Sequence, residues 1–272
     1  EENYIKKISR KTQFNYKTIC ITPKSFKENL KESINILEEP FSGLPIISYL
    51  LCVKELARTK VILDGTGLDE ANFGYDKYLN SNVNQNNLNF AQDGSVSVQN
   101  NIIHSNLKKC AETYKFTKPF KDKFRNDMYS DLYYLKLPRA LKFRDKLGMR
   151  FGKEIRPCFL DEKLILTLLK LDYQYHYKNG FSKRILRDTF KDDLSKEIAF
   201  AKKRNIQTPQ TSWLREEMFN WLKNFLYKSE IWDMNWINKD QFYKNLDLFK
   251  RKKIHNSFFI WKMINLELWS KI

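Results

Sequence analysis

Apolar residues recur at helical spacing over most of this chain. In "FKENLKESINILEEP" (26–40) that spacing predicts an amphipathic helix stopped at Pro40. "IISYLLCVKELA" (46–57) is apolar on nearly every side and predicts a second, buried helix. Two stretches have a different period. "KTICIT" (17–22) alternates and is β-branched, and "KVILD" (60–64) is a short apolar run, so both predict strands. Strand, helix, helix and strand in this order predict a partial parallel sheet with crossover helices, an α/β class.

The pattern changes at residues 79–106, which carry nine asparagines and few large apolar residues, and read as a long surface loop. From about residue 107 it is helical: "DEKLILTLLKL" (161–171), "SKRILRDTFKDDL" (182–194), "SWLREEMFNWLKNFLY" (212–227) and "SFFIWKMINLELWSKI" (257–272) are all amphipathic. No internal repeat is evident. The expected organisation is an α/β core over 1–78, an Asn-rich loop over 79–106, and a mostly helical lobe over 107–272.

With 272 residues, 42% hydrophobic and 15% aromatic, the chain can bury a proper core. No apolar stretch reaches the roughly 20 residues that cross a bilayer, and no secretory signal opens the sequence, so no membrane is expected as a partner. The first residue is Glu1 rather than a methionine, which points to a fragment or a processed chain. Cys20, Cys52, Cys110 and Cys158 lie far apart in apolar surroundings, with no Cys-x-x-Cys pair and no zinc spacing among three histidines. Buried free thiols in a reducing compartment, with the cytoplasm as location, are the expectation. A net charge of +17 raises a nucleic-acid partner. The lysines are spread along the whole chain, however, and "KRKK" (250–253) reads as a solvated turn, so no nucleic acid is expected. An anionic substrate would also suit this charge.

The stretch with candidate chemistry is "VILDGTGLDEANFGY" (61–75). A turn at the carboxyl end of a parallel strand lies where open α/β sheets bind ligands. Gly65 and Gly67 lack Cβ atoms, so backbone N–H groups can approach an anion. A helix starting near Leu68 would add a partial positive charge, and Asp69 in its first turn could hold a magnesium ion bridging phosphates. The same residues also fit a plain Asp-Gly turn, with Asp69 and Glu70 as ordinary first-turn helix residues.

Further motifs follow in series: "RDKLGM" (144–149), "EIRPCFLD" (154–161), "GFSKRILR" (180–187) and "TPQTSWLRE" (208–216), with "ILEEP" (36–40) upstream and "LELW" (266–269) at the close. Together with "DGTGLDEANFGY" they resemble the synthetase half of the glutamine-dependent asparagine synthetase family, across essentially the whole chain. The resemblance implies an ATP pyrophosphatase fold, like the adenine-nucleotide α-hydrolases, followed by a helical lobe. It also implies an ATP-dependent ligase that adenylates a carboxylate, aspartate first among candidates, and lets glutamine-derived ammonia displace AMP.

On that resemblance Asp64, Gly65, Thr66 and Gly67 line the nucleotide, and Asp69 is a carboxylate on magnesium. Lys183 is a cation on the phosphate, and Thr66 stands at a position of proton handling. ATP and Mg2+ are the implied cofactors. An isolated Lys183 beside Arg184 reads equally as a solvated helix residue. Glu154 and Arg156 read as a buried ion pair bracing the loop, structural like Glu70.

Three departures qualify the resemblance. The family's Ser-Gly-Gly-x-Asp-Ser loop is absent from the sequence, and so is a glutaminase half with its amino-terminal cysteine. The partner supplying ammonia would be an N-terminal glutaminase domain or a separate glutaminase, and a homodimer is compatible. In the loop itself, Thr66 replaces an acidic residue and Asp64 a serine. Two alternatives therefore stand beside asparagine synthesis: a ligase of the same fold amidating another carboxylate, as in polysaccharide or natural-product assembly, and an inactive scaffold.

Overall fold

The computed structural model describes residues 2–56, 58–82, 101–109, 115–202 and 208–272. Helices α1 (Glu2–Thr12), α2 (Pro23–Leu37) and α3 (Leu44–Glu55) precede strand β1 (Val61–Asp64). A single turn, α4 (Leu68–Ala71), and a 3₁₀ segment, Asp76–Asn82, follow. Next come α5 (Ser105–Lys109), α6 (Lys123–Tyr133), α7 (Lys136–Met149) and strand β2 (Glu154–Pro157). Beyond them lie α8 (Glu162–Lys170), α9 (Tyr173–His176), the hairpin β3 (Tyr177–Lys178) and β4 (Phe181–Ser182), and α10 (Arg184–Leu194). The chain ends through α11 (Lys196–Ala199), α12 (Gln210–Arg215), α13 (Phe219–Tyr227), a 3₁₀ turn, α14 (Lys239–Lys250) and α15 (Phe258–Trp269).

The result is helix-rich with a small parallel sheet, an α/β arrangement. Strands β1 and β2 pair in parallel, Val61 opposite Glu154 through Asp64 opposite Pro157. The connection between them runs through α4 to α7, so the sheet partner of β1 comes from downstream rather than from the predicted strand at 17–22. That stretch forms no regular element and pairs with no described strand. Its last residue is spent elsewhere: Thr22 caps α2, its hydroxyl accepting from the Ser25 amide at 3.1 Å while the Ser25 hydroxyl accepts from the Thr22 amide at 2.9 Å. Strand β2 escapes the pattern because four residues reading Glu-Ile-Arg-Pro carry too little apolar signal.

The predicted helix over 212–227 breaks between α12 and α13. Leu214, Met218, Leu222 and Leu226 are all buried. A four-residue spacing drifts about 40° per step around a straight helix of 3.6 residues per turn. The break brings all four back onto the core. The cysteine expectation also changes. Cys20, Cys52 and Cys158 are free as expected, but all three are exposed. Cys20 lies in the stretch before α2 that joins no described sheet, Cys52 on the outward side of α3, and Cys158 just past the short β2. Cys110 and residues 83–100 of the Asn-rich segment lie outside the described residues.

Most of the core is one cluster. Phe26, Leu30, Ile34 and Leu37 of α2 and Ile47 and Leu50 of α3 pack with Leu147 of α7 and with the buried faces of α12 to α15. The link between α2 and α3 is pinned into it. The Phe41 carbonyl accepts from the Trp261 indole at 2.7 Å, the Phe41 amide donates to Asn265 at 2.9 Å, and the Leu44 amide donates to Gln210 at 3.1 Å. The stretches following "ILEEP" and within "TPQTSWLRE" thus brace each other. A second cluster, with Phe73, Tyr78, Met128 and Leu168, lies beneath α4. Among the described residues no helix is long and apolar enough to cross a membrane.

His176 is fully buried in that second cluster, flanked by Phe73 and Phe124. Its Nε2 donates to the Leu168 carbonyl at 2.9 Å, and burial pushes its pKa down to about 4. The unfolded chain therefore takes up this proton more readily than the folded one. Stability should fall as pH drops from about 6.5 toward 4, by up to about 3 kcal/mol from this group. Denaturant midpoints measured at pH 7 and 4.5 test it. His176→Gln should show the shallower fall, and equal slopes would contradict the assignment.

Candidate functional site

Strand β1 delivers Asp64 to its carboxyl end, and the chain turns there through Gly65, Thr66 and Gly67 into α4. The turn is built by Asp64 itself. Its Oδ1 accepts from the Thr66 amide at 2.6 Å and from the Thr66 hydroxyl, an Asx-type closure. Its Oδ2 lies 3.3 Å from Nε of Arg144 on α7. The Arg144 guanidinium in turn lies over the Tyr49 ring of α3, 5.1 Å from its centroid. Burial pushes the Asp64 carboxyl up, but the Thr66 hydroxyl and the Arg144 charge outweigh it and hold it below the ordinary aspartate value. Asp64 is thus a charged brace between α7 and the loop.

The two loop glycines do different things. Gly67 has φ of +90°, and a Cβ there would stand 2.2 Å from Leu160 Cδ2, so turn and packing both require glycine. A Cβ at Gly65 would meet nothing within 4 Å, and the space before it is open. Helix α4 begins at Leu68 as expected but lasts one turn. The partial charge at its amino end is that of a few amides rather than of a helix macrodipole. The dipole contribution expected from the sequence is not available.

Asp69 leaves the first turn of α4 and meets Lys183, with Nζ 2.7 Å from Oδ1. Lys183 sits between β4 and α10 at φ +54°, ψ +39°, a left-handed conformation that costs a β-carbon residue about 1–2 kcal/mol. Arg187 fixes that turn by donating to the Ser182 carbonyl at 2.7 Å and the Ala199 carbonyl at 2.6 Å. Strain held by a neighbouring staple is the mark of a side chain kept in one place. On its other side Asp69 is hemmed in by Gly74, whose amide donates to the Asp69 carbonyl at 2.7 Å.

Glu70 points the opposite way and is buried, accepting from the Tyr75 hydroxyl at 2.6 Å. Burial pushes both its carboxyl and the Tyr75 phenol up. Beneath them, the fully buried Asp131 of α6 accepts from Tyr78 at 2.7 Å and pairs with Lys77 at 2.6 Å. Glu70 therefore lies beneath the loop, its carboxylate spent on Tyr75.

The structure brings Asp64 and Thr66 together at the loop, and Asp69 and Lys183 beside it. Glu154 and Arg156 do not join them as a buried brace. They pair with each other at 2.9 Å, with side chains 60% and 58% exposed. Alternation along β2 explains this: 154 and 156 share the outward face that also carries Val61 and Leu63 of β1, the latter 72% exposed. Sequence reasoning passed over Arg144, Tyr49 and Gly74. Arg144 lay inside the quoted "RDKLGM" and Gly74 inside "NFGY", but nothing in the spacing of Tyr49 signals its place.

Among the described residues no three His, Cys, Asp or Glu side chains gather as a metal site. Asp69 offers one carboxylate, a donor set that fits magnesium when phosphate oxygens and water complete the shell.

A parallel strand ends here in a glycine turn, with a carboxylate and a lysine set against each other beside it, at the strand end where open α/β sheets bind ligands. Comparison with known proteins gives it a family. The model of the asparagine synthase family matches residues 1–271, and the chain belongs to that family. It is 27% identical over 144 residues to asparagine synthetase [glutamine-hydrolyzing] 1 of Bacillus subtilis (strain 168). The match covers 53% of this chain and 22% of that protein.

Proposed function

We propose that the chain carries the ATP-dependent step of an amide-forming carbon–nitrogen ligase. Such a ligase joins the aspartate side-chain carboxylate to AMP with release of pyrophosphate, and ammonia from glutamine then displaces AMP to give asparagine. Family membership and the printed name of the Bacillus relative support this reading. The observation that carries it is the Asp69–Lys183 contact of 2.7 Å, formed beside the open space at Gly65 by a lysine in a strained turn.

Each residue has a task in it. Gly65 lets a nucleotide approach the backbone, and Asp64 holds the turn for it. Asp69 is the carboxylate that would hold Mg2+, an ion that supplies charge neutralisation on phosphate oxygens. Lys183 contributes a fixed cation where negative charge develops. Thr66 donates its hydroxyl to Asp64, so it positions the loop and takes up no proton. Ammonia would arrive from a glutaminase domain or a separate glutaminase.

ATP–pyrophosphate exchange with aspartate and Mg2+ tests the role of Asp69. Asp69→Asn should lower exchange about 10²-fold or more, an effect typical of a lost charge-stabilising group. Unchanged exchange would refute that role. A second reading, a ligase of the same kind for another carboxylate, is favoured by Thr66 and by the Asp64–Arg144 pair in place of the family's acidic residue and serine. Exchange driven more strongly by a carboxylate other than aspartate would establish it.

A further inference from the structure

Arg144 is held from three sides. Its Nε faces Asp64, its plane lies over Tyr49, and its Nη1 reaches back to the Ala140 carbonyl at 3.4 Å. Contacts to β1, α3 and its own helix α7 thus fix one orientation, and a planar guanidinium suits both the carboxylate and the ring. Asp64 then has each oxygen committed, one to Thr66 and one to Arg144. Without Arg144 the carboxylate would keep its turn bonds to Thr66 and its neighbour Tyr49 but lose its ion pair. A half-buried carboxylate that has lost its cation is costly to hold in place and rotates or finds water. The Thr66 amide and the Gly65 backbone would lose their fixed anchor.

We infer that Arg144 is a positioning residue: acting through the Asp64 carboxylate, it sets the backbone of Gly65 and Thr66 in the conformation that receives the nucleotide. The inference rests on the ATP-dependent reading above for its purpose, but its geometry can be measured without it.

Four variants of the full-length protein test it, Arg144→Met, Arg144→Lys, Asp64→Asn and the Asp64→Asn/Arg144→Met double variant, with two readouts. The first is amide hydrogen exchange over residues 64–68. The second is the KM for ATP in pyrophosphate exchange. Arg144→Met should speed amide exchange in the loop and raise the KM about tenfold or more, since small misplacements of binding groups carry penalties of this size. Arg144→Lys should recover part of both. The double variant should be no worse than Asp64→Asn alone, because residues acting through one contact are not additive. Loop protection unchanged in Arg144→Met would overturn the inference, as would a loosened loop with an unchanged KM, or multiplying losses in the double variant. If Asp69→Asn and Lys183→Ala also leave ATP exchange intact, it is the ligase reading that fails, and loop protection alone then decides whether Arg144 positions the loop.

Discussion

Lys183→Ala should lower ATP–pyrophosphate exchange by about 10²–10³-fold, the range for removing one preorganised charge-stabilising donor. The side chain reaches Asp69 from a different part of the chain and is only 20% exposed, so water gives a poor substitute for its ammonium. The protein should stay folded, because the Lys183 turn is held by Arg187 and the β3–β4 hairpin rather than by the lysine's charge. Lys183→Gly makes the separation sharper. Glycine accepts the left-handed backbone without the cost borne by lysine, so this variant should melt no lower than the wild type and be as inactive as Lys183→Ala. Exchange retained in both variants would reduce Lys183 to an ordinary ion-pair partner.

Gly74→Ala should do comparable damage although it removes no charge and no hydrogen-bonding group. A Cβ on Gly74 would stand 1.8 Å from Oδ1 and 2.6 Å from Cα of Asp69. Both distances are far inside van der Waals contact, and the second is to backbone, so rotating the Asp69 side chain cannot relieve it. Asp69 and its turn must move, and with them the contact to Lys183. Displacement of about 1 Å in a binding group can cost about 10²-fold in rate. The Mg2+ concentration giving half-maximal exchange should rise in Gly74→Ala, whereas a variant that merely lost stability would keep the wild-type metal dependence. A normal metal dependence and rate would show that α4 tolerates the shift and that Asp69 is not held as tightly as its surroundings indicate.

The sequence spoke clearly where a local pattern decides structure. Helix α2 announces itself by Phe26, Leu30, Ile34 and Leu37, because burial of one face leaves a periodic trace, and β1 by its β-branched apolar run although none of its residues is fully buried. The glycine turn at Asp64 was legible for the same reason, since few residues accept such a conformation. What depended on distant partners was not. β2 is a strand because β1 lies beside it, and 17–22 is not one because no described strand does. Arg144 reaches Asp64 only once α7 has packed against the sheet, and no spacing along the chain encodes that approach. Glu154 and Arg156 were misplaced for a related reason. Opposite charges two apart mark a shared strand face, and only the packing of the sheet says whether that face is covered. At the site, motif order points to both Asp69 and Lys183, and the fold sets them in contact.

The most direct measurement is ATP–pyrophosphate exchange by the full-length protein, run with and without aspartate and with and without Mg2+. A ligase of the proposed kind gives exchange that needs both. A folded protein that shows no exchange with aspartate or with any other carboxylate would contradict it.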